Sequence, residues 1–170
     1  MGAEDNYRKI DPRPRPVYSL AEDAAQVMSA QMFKEFCVPY DDMMWQRFGK
    51  GLKDGRGMHM CGNSNHLLES LKNDAKISSF NFFGYLADVK KVAEIFGGDV
   101  YLWGNISPML MLRESKQDVK QKALDCLSVL APCGGLMLGD GANVCPGTPV
   151  ENLAALTEAA IEYGLPDNHK

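Results

Sequence analysis

Short strand-like runs alternate with single helix-like stretches along almost the whole chain, and that alternation constrains the fold more than any other feature. Strand signals fall at 17–20, 57–61, 76–82, 100–103 and 136–138, and helix signals at 29–48, 65–73, 86–96, 116–130 and 150–163. One helix between consecutive strands is the βα crossover that parallel strands require. The helix ends carry start and stop chemistry. Ser29 is placed to cap the first helix, with Met32, Phe33, Phe36 and Cys37 at helical spacing and Pro39 bending it. Gly97-Gly98 closes the third, and Gly164 with Pro166 stops the last.

Five such units suit either a small doubly wound sheet or part of an eightfold barrel. The phosphate-binding glycine fingerprint of the former is absent: the glycines at 49, 51 and 55 have the wrong spacing and precede a strand. Instead, Cys61-Gly62-Asn63, Gly104-Asn105-Ile106-Ser107-Pro108 and Gly139-Asp140-Gly141-Ala142-Asn143 each follow the C-terminal end of a strand. That is the rim on which barrel enzymes build their sites. The expected fold class is therefore α/β, a partial (βα)8 TIM barrel of about five units. Residues 17–165 form the barrel domain, 1–16 a charged Pro/Arg-rich leading segment and 166–170 a polar tail.

The 170 residues suit one domain with a real core. A net charge of −4 with no basic run argues against a nucleic-acid surface. The longest apolar stretch, 127–138, contains Pro132, Gly134 and Gly135 and is too short to cross a bilayer, so no membrane partner is expected. The charged, proline-rich start does not read as a secretory signal, and five cysteines without one read as reduced thiols. The expected compartment is the cytoplasm.

His59-x-Cys61 is the chemical signal. Side chains alternate along a strand, so these two share a face, and an imidazole and a thiol so placed are two ready zinc ligands. The competing reading is a hydrogen-bonded core histidine beside a buried cysteine. Met58 and Met60 then face the helix layer, while Met28, Met32, Met43, Met44, Cys126 and Cys133 read as core. Asn105 and Asp140, at strand ends, are candidates to project toward substrate, with helix or turn capping as the alternative. Asp23, just after the first strand, is a candidate for proton transfer. His66 reads as structural.

Several motifs occur in a familiar order over 18–163: Asp23-Ala24-Ala25, Met28-Ser29, Phe33-Lys34-Glu35-Phe36, Pro39-Tyr40, His59-Met60-Cys61-Gly62-Asn63, Gly104 to Pro108, and Pro146-Gly147-Thr148-Pro149 with Glu151-Asn152. The set resembles the C-terminal part of the uroporphyrinogen decarboxylase superfamily, and within it the zinc-dependent cobamide methyltransferases. The resemblance implies an enzyme of one-carbon metabolism. Such an enzyme moves methyl from methylcobalamin, carried by a partner corrinoid protein, to a zinc-activated small thiol or to a folate acceptor. It implies zinc on His59, Cys61 and a third cysteine. The family's third cysteine falls at Ala142 in this sequence, so Cys145, in the same loop, is the candidate that takes its place. The family barrel is also longer than this chain, which implies a homo-oligomer or a complementary half-barrel as partner. The alternatives are a uroporphyrinogen decarboxylase-like lyase and a non-catalytic fragment or half-barrel subunit.

Overall fold

The structure is a computed structural model describing residues 18–49 and 55–164. The expected segments 1–16 and 166–170, the strand start at Val17 and positions 50–54 of the glycine-rich turn lie outside the described residues. Five strands, β1 (Tyr18–Ala21), β2 (Arg56–His59), β3 (Ser79–Asn81), β4 (Tyr101–Ile106) and β5 (Leu136–Asp140), form one sheet in sequence order. Every neighbouring pair is parallel. Sequential parallel order, with each crossover on one face, is the winding of a (βα)8 barrel rather than of a doubly wound sheet. The fold is α/β, part of a TIM barrel.

The helices are α1 (Ala30–Phe36), α2 (Val38–Phe48), α3 (Leu68–Ser70, continued by a π-helical turn, Leu71–Ala75), α4 (Val89–Phe96), α5 (Pro108–Arg113), α6 (Lys116–Leu130) and α7 (Val150–Tyr163). Ser29 caps α1 as expected, its hydroxyl accepting the Met32 N–H at 3.1 Å. The single helix expected over 29–48 is two. The chain turns at Cys37, and Pro39 sits in the first turn of α2, where its missing N–H leaves no bond unmade.

The core lies between the sheet and the helix layer. Met58, Phe80 and Leu102 point outward from β2, β3 and β4 onto Leu68, Leu71, Val92 and Phe96, all essentially without solvent contact. Met60 is fully buried too, whereas Met32, Met43 and Met44 of the first two helices are exposed rather than core. Those helices have no neighbour on one flank among the described residues, which leaves their apolar side open. No helix among the described residues is long and apolar enough to cross a membrane.

Candidate metal centre

Parallel pairing of β1 with β2 puts Ala21 beside His59, and the Glu22 N–H extends the ladder by one bond to the His59 carbonyl at 2.9 Å. Beyond it the chain folds into a 3-10 turn, Asp23–Val27, over the C-terminal end of β2. Asp23 is thereby carried to His59 and Cys61. Its Oδ1 accepts the Cys61 N–H at 2.9 Å and lies 3.4 Å from His59 Nε2. The ligand atoms of Asp23, His59 and Cys61 all fall within 4.8 Å of one another, and all three residues are half-buried. Cys61 lies two residues past the end of β2, not within it as expected, yet it still reaches the same side as His59.

The charges in this group are coupled. Burial acts to raise the Asp23 pKa, but the Cys61 N–H, the Cys61 thiol and nearby His59 outweigh it and hold the carboxyl below its usual range. Burial, then the hydrogen bond to Asp23 and its charge, push the Cys61 thiol up. Without a metal, burial and the neighbouring carboxylate thus favour the thiol over the thiolate at Cys61. A divalent cation inverts that preference, because it binds the thiolate and neutralises the carboxylate. Imidazole nitrogen, thiolate sulfur and carboxylate oxygen are all zinc donors, so the group fits the metal.

The surrounding loops are held together. Gln26 Oε1 accepts the Asn63 N–H at 3.2 Å. Asn65 ties the loop after β2 to that after β3, donating to Leu86 O at 3.0 Å and accepting the Asp88 N–H at 2.8 Å. Gly84, at φ +78°, brings the β3 loop so close that a Cβ there meets the Gly62 carbonyl oxygen at 2.1 Å. On the sheet's inner face an aromatic row runs from the site. His59 meets Phe82 edge-on at 5.6 Å, and Phe82 packs on Trp103 at 4.3 Å. The sequence reading missed this row, although Phe82 and Trp103 end two of the runs it took as strands.

The other candidates lie elsewhere. Asn105, expected to face substrate, is buried. Its amide donates to Gly84 O at 3.2 Å and Ala87 O at 3.4 Å, and its carbonyl accepts from the Cys126 thiol at 3.6 Å. The alternation along β4 ends at Trp103: Gly104, Asn105 and Ile106 are buried in succession. Asp140 closes β5, and its Oδ1 accepts the Ala142 N–H at 3.1 Å, a local turn bond. Cys145, in the loop before α7, does not join the group; its sulfur rests on Met109 Sδ at 3.8 Å.

Residues 16–163 match the family model described as Uroporphyrinogen decarboxylase (URO-D). The chain belongs to the URO-D family. Among curated URO-D relatives, the methylcobamide:CoM methyltransferase MtaA of Methanosarcina barkeri is 31% identical over 153 residues, 86% of this chain and 42% of that protein. The uroporphyrinogen decarboxylase of Coxiella burnetii is 29% identical over 144 residues, 82% and 38% respectively. A solved methyltransferase from Methanosarcina mazei superposes with a TM-score of 0.67 at 26% identity, over 86% of this chain and 42% of its own. The chain thus spans about two-fifths of the length of the URO-D proteins it matches. Those relatives are methyltransferases and decarboxylases, so the family is one of enzymes.

Proposed function

We propose that the chain forms the zinc-binding part of a barrel methyltransferase that passes a methyl group from a corrinoid protein to a thiol. The observation that carries this reading is the convergence of His59, Cys61 and Asp23 at the C-terminal ends of β1 and β2. A porphyrinogen decarboxylation asks for no thiolate ligand. Methyl transfer to a thiol gains from a metal that keeps the acceptor deprotonated, and the relatives named for coenzyme M support that reaction.

Zinc, when bound, supplies a cationic centre that keeps an acceptor thiol deprotonated and nucleophilic at neutral pH. The chain's own residues do the rest. His59 and Cys61 hold the centre on the wall of the barrel. Phe82 fixes the imidazole plane by its edge-on contact, and the Phe82–Trp103 pair offers an apolar floor beside it. Asp23 fixes the Cys61 backbone through its N–H. Asn105 shapes the β3 loop from behind, and Asp140 shapes the β5 loop at the opposite side of the mouth. The implied partners are a corrinoid protein and a small thiol, in the cytoplasm.

The test is zinc content and methylcobalamin consumption with a small thiol. Stoichiometric zinc, and methyl transfer abolished by Cys61→Ala, are expected. A zinc-free protein, or turnover indifferent to Cys61→Ala, overturns the reading. Carbon dioxide release from a porphyrinogen, independent of Cys61, moves it to the lyase alternative.

A further inference from the structure

We infer that Asp23, not a second cysteine, supplies the third protein ligand, giving a site with one nitrogen, one oxygen and one sulfur donor. The inference deepens the zinc reading above and rests on it.

Three observations carry it. First, tetrahedral zinc with bonds of about 2.0–2.3 Å sets its ligand atoms roughly 3.3–3.6 Å apart, and Asp23 Oδ1 already stands 3.4 Å from His59 Nε2. That pair already has the spacing of a zinc site, and the whole group lies within 4.8 Å. Second, Cys145 follows β5, three strands from β2 in the sheet. Its sulfur is packed on Met109 Sδ at 3.8 Å and is not among the ligand atoms that converge on His59 and Cys61. Third, the charge balances. One thiolate and one carboxylate neutralise Zn²⁺ as two thiolates do, with an imidazole as third ligand and a fourth position open for a substrate thiolate. Among the described residues, no other group of three histidine, cysteine or acidic side chains converges in this way.

The bonds made and broken are simple. Zinc entry displaces one proton, from the Cys61 thiol, and Asp23 enters as the carboxylate it already is. Nothing is oxidised or reduced.

Cobalt(II) in place of zinc reads the donor set directly, because sulfur-to-metal charge-transfer absorption scales with the number of thiolates bound. The cobalt protein is expected to show the intensity of one thiolate, lost in Cys61→Ala and unchanged in Cys145→Ala. Asp23→Asn preserves an oxygen that can accept the Cys61 N–H but removes the anionic donor. It is expected to weaken zinc, by chelator competition, on the order of 100-fold, at least the loss that removing a supporting outer partner brings. Asp23→Glu restores part of it. A two-thiolate spectrum halved by Cys145→Ala, or an Asp23→Asn protein that holds zinc as tightly as the wild type, overturns the inference. Either result leaves the methyltransferase reading standing if transfer persists. Conversely, a one-thiolate site on a protein without methyl transfer sinks that reading and keeps this one.

Discussion

One buried carboxyl in this chain serves neither a strand nor the metal group. Asp41, in the first turn of α2, is only 5% exposed, and its Oδ2 meets no hydrogen-bond partner among the described residues. Burial, followed by the charge of Glu22 and a hydrogen bond with it, pushes its pKa up to about 7. Cys37, on the same turn, is raised first by burial and then by the charges of Glu22 and Asp41. The folded state therefore keeps a proton that the unfolded chain releases near its ordinary value of 3.8. Where the native state binds more protons than the unfolded one, stability falls as pH rises. The contribution is whole below about pH 4, is lost up to about pH 7 and is flat above, at no more than about 1.4 kcal/mol per pH unit. Chemical denaturation at pH 5 and pH 8 should show this decline in the wild type and a flatter profile in Asp41→Asn, which gains at pH 8. An unchanged slope removes Asp41 as its source. The sequence offered no sign of this pair, because Glu22 and Asp41 are distant in the chain and meet only through the fold. By contrast, His59 and Cys61 were legible as a pair because two-residue spacing is the strand period. Asp23 was legible as an acid after a strand, and its ligand distance needed β1 and β2 to be adjacent.

At the scale of elements, what could be read was local chemistry. Ser115 caps α6, accepting the Asp118 N–H at 3.2 Å, and α6 and α7 span the residues their patterns predict. What could not be read was where two local signals compete. Ser107-Pro108 looks like a rim loop, yet Ser107 is the cap of α5, accepting the Leu110 N–H at 3.3 Å, with Pro108 in its first turn. Strand length was misjudged for a related reason: β4 continues to Ile106 because Asn105 is paired on the helix side instead of turning into the mouth. That buried amide joins β4 to the loop that also meets the Gly62 turn. Asn105→Ala removes the amide that Ala87 O and the Cys126 thiol bond, while Gly84 O keeps the Ala87 N–H at 3.0 Å, at about 1–3 kcal/mol for an unsatisfied buried group. The expected outcome is a fall in thermal midpoint of several degrees with zinc affinity kept within a few-fold. A variant that loses metal without losing stability places Asn105 in the site after all.

At the scale of the molecule, the five strands make a wall and not a closed ring. Sequential parallel order leaves β1 and β5 as the two edges among the described residues. The inner face between them is open, and at β4 and β5 it is apolar: Tyr101 is 66% and Met137 54% exposed, beside a groove of about 310 Å³ that Trp103 and Asn81 also line. In a closed barrel this face is filled by side chains from all eight strands. The flank is open too, with Phe36, Tyr40 and Met43 exposed along α1 and α2. More than half the length of MtaA and of the solved methyltransferase has no counterpart in the matched region. A face of this kind stays wet only at a large hydrophobic penalty. The 170-residue chain on its own is therefore expected to bind an apolar fluorescent dye and to self-associate with rising concentration in sedimentation experiments. The double variant Tyr101→Lys, Met137→Lys acts on the inner face alone. It should reduce dye binding and self-association severalfold while leaving zinc affinity unchanged, because neither side chain touches Asp23, His59 or Cys61. A dye-free wild-type monomer at high concentration is the contrary result, and means that residues outside those described cover the inner face. Self-association untouched by the double variant assigns it instead to the α1–α2 flank, where Phe36→Glu and Met43→Glu would then abolish it.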